Sequence, residues 1–387
     1  MHASRVLQNS LAPVIASIDP RRVRCLWLAV EALLAGRRLV LMDLARSFPG
    51  AQRVRAPLKR LDRLLGNRHL HDELEQFYAG LSGWLVRHRQ PLILVDWSDL
   101  KADQSLHVLR AAIAVGGRAL TLYEQIHPQR QLGSAAAERH FLQRLQALLP
   151  AHTVPIIVTD AGFRQRWFRQ VRRFGWDYLG RVRGSATVRH ANSTWQPLRT
   201  FYHRASTTPQ RFRQAALWQS RPWPCQLILL RRPARGRTAT THFGQPRRSR
   251  RSRKAAARGR DPWLLATSLD LPPRRIAALY ATRMQIEQSF RDLKSTRYGA
   301  AFELSLTRRP ERLAVLLLLL ALATFVAWLA GLACVARHLE AHCVPQPTRQ
   351  RRYSVVRVGW EALRRPGLPD PLAIPPLLPP PMTELSP

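Results

Sequence analysis

Residues 313–336 run for 24 positions without a charged side chain, in a chain where 22% of residues are charged. A stretch of that length, rich in Leu and Ala, has two possible homes. It is long enough to cross a bilayer as a helix, or it is the central buried helix of a large domain. A span here would leave basic chain on both sides of the membrane with no orientation signal. The core-helix reading is therefore preferred, and a chain of 387 residues has room for a domain that needs such a core.

The charge balance narrows the partner. The sequence has 62 basic residues against 24 acidic ones, a formal net charge of +38. That excess points to a polyanion, either nucleic acid or an anionic membrane surface, rather than to ordinary metabolite chemistry. Only Lys59, Lys101, Lys254 and Lys294 are lysines. With arginine so common a single Arg says little, whereas Lys, Asp and Glu in structured contexts say more. The four cysteines form no CxxC pair and no zinc-ligand spacing, which fits a reducing compartment.

The pattern of apolar residues divides the chain into segments. Residues 1–90 read as helices over 23–35, 42–48, 57–65 and 72–89, a candidate helical DNA-binding domain. Within it, basic and apolar residues alternate at helical spacing over 59–65. Residues 91–182 read as a mixed α/β layer. An apolar strand at 92–95 ends in Asp96, a hairpin over 109–123 turns at Gly116-Gly117, and a second apolar strand at 154–159 ends in Asp160. Helices at 135–149 and 161–174 and a strand at 176–182 complete it. Residues 183–260 read as a β-rich insertion, with strands at 185–188, 226–231 and 238–243 and a basic run of Arg and Ser at 247–254. Residues 261–340 return to a strand at 263–269, one helix over 273–294, and the apolar helix. Residues 341–387 form a C-terminal region; nine prolines fall in 366–387, which is expected to be extended and largely disordered.

The chemistry gathers at scarce acids. Asp96 and Asp160 each close an apolar strand, where ligands of α/β sheets bind. Two such carboxylates suggest a divalent cation held by oxygen ligands. Each is open to a plainer reading: Asp160 can cap the helix that follows, and Asp99 rivals Asp96. On the 273–294 helix, Tyr280, Arg283, Glu287 and Lys294 stand at offsets of 3, 7 and 14. At about 100° per residue the last three fall at roughly −60°, −20° and −40° from the first, so all four share one stripe. An acid flanked by bases suits a metal-bound phosphate; a row of surface salt bridges is the alternative.

The spacing Tyr280-x2-Arg283-x3-Glu287-x6-Lys294 resembles the Y-R-E-K signature of bacterial DDE transposases of insertion sequence family four. Similar stretches are Val95-Asp96-Trp97-Ser98, Thr159-Asp160-Ala161-Gly162-Phe163, the 263–267 strand and residues 59–67. The resemblance spans residues 20–365. It implies an α/β fold: a ribonuclease H-like catalytic domain, a mixed sheet with flanking helices, interrupted by the β-rich insertion and preceded by the helical DNA-binding domain. It implies that Asp96, Asp160 and Glu287 are catalytic and bind two Mg2+ ions, with Mn2+ able to substitute. Tyr280, Arg283 and Lys294 would contact DNA. Trp218 and Trp223 are candidates for holding a flipped base. The partners implied are double-stranded DNA, as terminal inverted repeats and target, and a second copy of the chain in a synaptic complex, with no membrane and a cytoplasmic location. In such proteins a segment like Arg309-Pro310-Glu311-Arg312-Leu313 leads into a long buried helix, which also favours the core reading of 313–336. A ribonuclease H-like nuclease without strand transfer, and a basic membrane protein spanning at 313–336, are the competing readings.

Overall fold

The computed structural model describes residues 2–232, 249–250, 261–345 and 353–365. The chain begins with α1 (His2–Leu11), α2 (Pro20–Gly36), α3 (Leu41–Arg46), α4 (Arg55–Leu65) and α5 (Arg68–Leu85). Next come β1 (Leu92–Asp99), β2 (Leu106–Ala114), β3 (Ala119–Pro128) and α6 (Ala135–Leu148). β4 (Ile156–Thr159), α7 (Gln165–Arg173) and β5 (Asp177–Arg181) follow, then β6 (Thr187–His190), β7 (Gln196–Pro197), β8 (Gln210–Leu217), β9 (Trp223–Leu230) and β10 (Trp263–Thr267). The last helices are α8 (Pro273–Ala281), α9 (Met284–Lys294), α10 (Pro310–Ala336), α11 (Glu340–Cys343) and α12 (Val355–Ala362). The chain divides into two compact units: Met1–Pro155 with Arg283–Pro387, and Ile156–Thr282.

The first unit is built around α10. Its Leu316, Leu317, Leu318, Leu319 and Leu322 are fully buried, and 83% of its most apolar stretch is buried. α1, α2, α4, α5, α12 and β3 pack on it. Trp84 of α5 sets its ring edge-on to Phe325 and Trp328. The uncharged run is thus a core helix whose apolar surface is covered by protein. Because α2 and α5 share this core with β3, residues 1–90 do not separate as a compact unit of their own. Local signals fix where these helices start. Asp19 accepts from the backbone N–H groups of Arg21 and Arg22, ahead of Pro20 at the first turn of α2. Asn67 caps α5 and Ser134 caps α6 in the same way.

β1, β2 and β3 of this unit pair antiparallel in the order β3-β2-β1. The β2–β3 turn works because Gly116 and Gly117 both sit at positive φ, 76° and 103°, the geometry that two-residue hairpin turns require.

The second unit carries a sheet in the order β4-β5-β10-β9-β8-β6-β7. β4 and β5 run parallel and the other pairs antiparallel. The strands between residues 183 and 232 therefore extend the sheet of β4 and β5, through the pairing of β9 with β10. The expected strand at 238–243, the proline-rich 366–387 and, apart from residues 249 and 250, the basic run at 247–254 lie outside the described residues.

The helix expected over 273–294 is two helices. No Pro or Gly interrupts it, and Thr282 and Arg283 keep right-handed helical angles. The hydrogen bonds tighten instead: Thr282 N–H reaches Leu279 O at 3.2 Å and Ile286 N–H reaches Arg283 O at 3.2 Å. The Thr282 hydroxyl also donates to Leu279 O at 2.7 Å. A side chain that bonds back to the preceding turn competes with the helical ladder. The break coincides with the boundary between the two units.

Candidate active site

Cross-strand register sorts the polar residues of the first unit onto two faces. Asp96 stands opposite Arg110, and Arg110 opposite Glu124, so these three share one face of β1–β3. Asp99 stands opposite His107, and His107 opposite His127, three residues further on and hence on the other face. Contacts agree with register: His107 Nδ1 lies 3.0 Å from Asp99 Oδ1, and the Trp97 ring packs edge-on to His127. Of the two rival aspartates, Asp96 is the one beside α9.

α9 packs on β1, β2 and β3, and Arg283 at its start links two acids. Its guanidinium donates to Asp96 Oδ2 at 3.3 Å and also to Glu287 Oε1. Asp96 and Arg283 are 8% and 7% exposed, whereas the Glu287 side chain is 36% exposed. One buried cation thus holds together two carboxylates that are 191 residues apart in sequence, which makes the burial of Asp96 tolerable. Asp96 Oδ1 also accepts from the Trp97 N–H at 2.9 Å. Lys294 ends α9 two turns beyond Glu287 and is half-buried. Among the described residues no group of three or more His, Cys, Asp or Glu side chains is gathered as a metal cluster. Asp96 and Glu287 supply two oxygen donors, the type that hard divalent cations take.

Asp160 and Tyr280 belong to the second unit. Asp160 follows β4 and accepts from the Gly162 N–H at 2.7 Å. It is not a helix cap, since α7 starts only at Gln165. Tyr280 is 3% exposed and sets its ring edge-on to Trp263, centroids 4.8 Å apart. Trp223 donates from Nε1 to the Tyr178 hydroxyl at 2.9 Å, and Trp218 packs on Phe168 at 5.9 Å. Both tryptophans are engaged in packing of this unit.

The model of the family described as "Transposase DDE domain" matches residues 87–326, more than half of the chain. The chain belongs to this family. No curated protein matches it. The matched span begins just before β1 and ends inside α10, so it takes in both Asp96 and Glu287.

The first unit also contains a buried network that sequence reasoning missed, reaching from the transposase domain to α5. Arg110 pairs with Glu124 at 2.6 Å, the Tyr78 hydroxyl donates to Glu124 at 3.0 Å, and the Arg110 guanidinium lies 4.8 Å over the Phe290 ring of α9. Burial, and then the neighbouring Glu124 carboxylate, push the Tyr78 phenol up. The signal was visible: Arg110 and Glu124 each interrupt an apolar strand, and charged residues stand in such runs only when paired. The network ties the strand next to Asp96 to the helix that carries Glu287.

Proposed function

We propose that this chain is the transposase of an insertion sequence of the Y-R-E-K group, which binds the inverted-repeat ends of its element and cuts and joins them as a dimer on double-stranded DNA in the cytoplasm. The observation that carries the reading is Arg283 clasping Asp96 and Glu287 at one place on the sheet, in a chain of the transposase DDE-domain family. Asp96, Asp160 and Glu287 are the proposed metal-holding carboxylates; the part of Asp160 rests on its strand-terminal motif. Two Mg2+ ions, or Mn2+ in their place, would lower the pKa of the attacking water and stabilise the leaving oxygen. The carboxylate pair fits such cations because it already takes a positive group. Arg283, released from the acids, and Lys294 would hold phosphate oxygens beside the cut bond. Tyr280 is assigned as a DNA contact, not a nucleophile, on its place in the signature alone, since its ring is buried against Trp263. The freed 3′-hydroxyl would attack the opposite strand to give a hairpin, and after reopening would attack target DNA.

Single-turnover cleavage of labelled end DNA tests the carboxylates. Asp96→Ala, Asp160→Ala and Glu287→Ala each abolish cleavage while end binding persists. Normal cleavage by Glu287→Ala in Mg2+ ends the assignment. Transfer of the labelled end into a plasmid separates a transposase from a nuclease, which would cut and never join.

A further inference from the structure

A cavity of about 620 Å³ lies wholly within the first unit, walled by α9, α10, α12 and the β2–β3 hairpin, with neither Asp96 nor Glu287 in its lining. Its size is that of small-molecule sites. Five arginines line it, Arg37, Arg110, Arg118, Arg291 and Arg357. Three carboxylates answer them: Arg37 and Arg357 share Glu361 at 2.9 and 2.8 Å, Arg118 pairs with Asp292, and Arg110 with Glu124. Arg291 is exposed and pairs with no carboxylate among the described residues. Positive charge is therefore in excess at this place.

Arg37 is held there at a cost. It caps α2 at φ 65°, a left-handed conformation that a non-glycine residue adopts with roughly 1–2 kcal/mol of strain. Its Nε is buried without a hydrogen-bond partner. A glycine would serve the cap better, so the residue is explained by its side chain and not by its backbone. Aromatic and apolar side chains line it as well, Tyr298, Tyr353, Trp360, Leu320 and Val356, and they stand beside the arginines: Arg37 donates to the Trp360 carbonyl at 3.2 Å and Arg357 to the Tyr298 carbonyl at 3.3 Å. Gln288 and Thr324 add hydrogen-bonding groups.

We infer that this cavity binds a nucleotide, its base against these aromatic rings and its phosphate on the guanidinium of Arg291, together with those of Arg37 and Arg357, which have one carboxylate between them. Aromatic rings hold any base by stacking, guanidiniums take phosphate oxygens in pairs, and a ligand with only one of the two groups would leave either the rings or the excess charge unused. The nucleotide is either free or an extrahelical residue of bound DNA. The cavity is independent of the acids of the candidate active site, so cleavage need not occur for it to fill.

Calorimetric titration of the full chain with deoxyadenosine monophosphate tests this. Binding is expected, with inorganic phosphate and deoxyadenosine each far weaker. Arg37→Gly and Arg291→Ala each weaken binding about tenfold, the worth of one charged hydrogen bond. Arg37→Gly relieves the cap but gives up the ion pair with Glu361 and the bond to the Trp360 carbonyl, so its melting temperature is measured beside binding; Arg291→Ala changes an exposed side chain and keeps the parent's melting temperature, so its lost binding is not unfolding. A duplex with one extrahelical nucleotide displaces the monophosphate if the source is DNA; failure to displace assigns the site to free nucleotide. No binding by the parent chain, equal binding by both variants, or phosphate binding as tightly as the nucleotide overturns the inference.

Discussion

Arg283 shows how a buried acid and a half-exposed one can be held side by side on a sheet. Asp96 is buried, and a buried carboxylate needs a positive partner. The guanidinium supplies it and reaches Glu287 with its other nitrogen. Removing the arginine leaves Asp96 uncompensated, a change that costs about 3–5 kcal/mol when such a pair is broken. The share of Glu287 is smaller, because its carboxylate is partly open to solvent and screened. Arg283→Ala should therefore be destabilised in EDTA and regain stability in Mg2+ or Mn2+, by a larger margin than the parent gains. Melting curves with and without the cation read this directly, apart from any DNA. Equal shifts in parent and variant would mean that the guanidinium and the cation do not compete for the same carboxylates. The register argument belongs at this scale too. Asp96 and Asp99 were indistinguishable in sequence, since both sit at the end of an apolar run, and only the pairing of Asp96 with Arg110 and of Asp99 with His107 puts them on opposite faces.

Among elements, α12 lies close upon α10 at two glycines. A Cβ on Gly359 would overlap the Ala327 carbonyl oxygen, and one on Gly331 would overlap the Val355 carbonyl oxygen. Backbone meets backbone, so no side chain can give way. Gly359→Ala should lower stability by about 1–3 kcal/mol, the range for overpacked cores, as measured by urea unfolding. An unchanged midpoint would mean that α12 does not dock on α10 at this distance. The need for glycine at either position could not be told from the sequence, because the reason for each lies on another helix. The β2–β3 hairpin was legible for the opposite reason: its cause, two adjacent glycines between apolar runs, is local. The break between α8 and α9 was not legible. Thr282 and Arg283 are both acceptable within a helix, and a hydroxyl bonding back to Leu279 leaves no mark in the periodicity of apolar residues. After residue 183, β6 and β9 were seen as strands while β7 and β8 were not, and their joining to the sheet of β4 and β5 is a non-local pairing that no local pattern encodes.

At the scale of the whole molecule the governing quantity is charge. A net +38 makes DNA association depend on the release of counterions from phosphate. The logarithm of affinity should fall linearly with the logarithm of salt concentration, with a slope of about −0.9 for each phosphate neutralised. The charge is spread along the chain, but one block is concentrated: residues 247–254 hold six basic residues among eight. If that block touches DNA, its deletion reduces the slope by about 0.9 per lost contact, up to roughly 5 in all, and weakens binding to the element ends and to unrelated duplex alike. If it serves only to keep the chain soluble, slope and affinity stay as they are. The measurement is end-DNA affinity at four or five salt concentrations for the parent and the deletion. Arg37→Gly provides the contrast within the same experiment. Its single charge faces the cavity of the first unit, so it should leave the slope within about one contact of the parent while weakening nucleotide binding. A deletion that changes the slope and a point variant that does not would separate the general attraction of the chain for DNA from recognition at one built site.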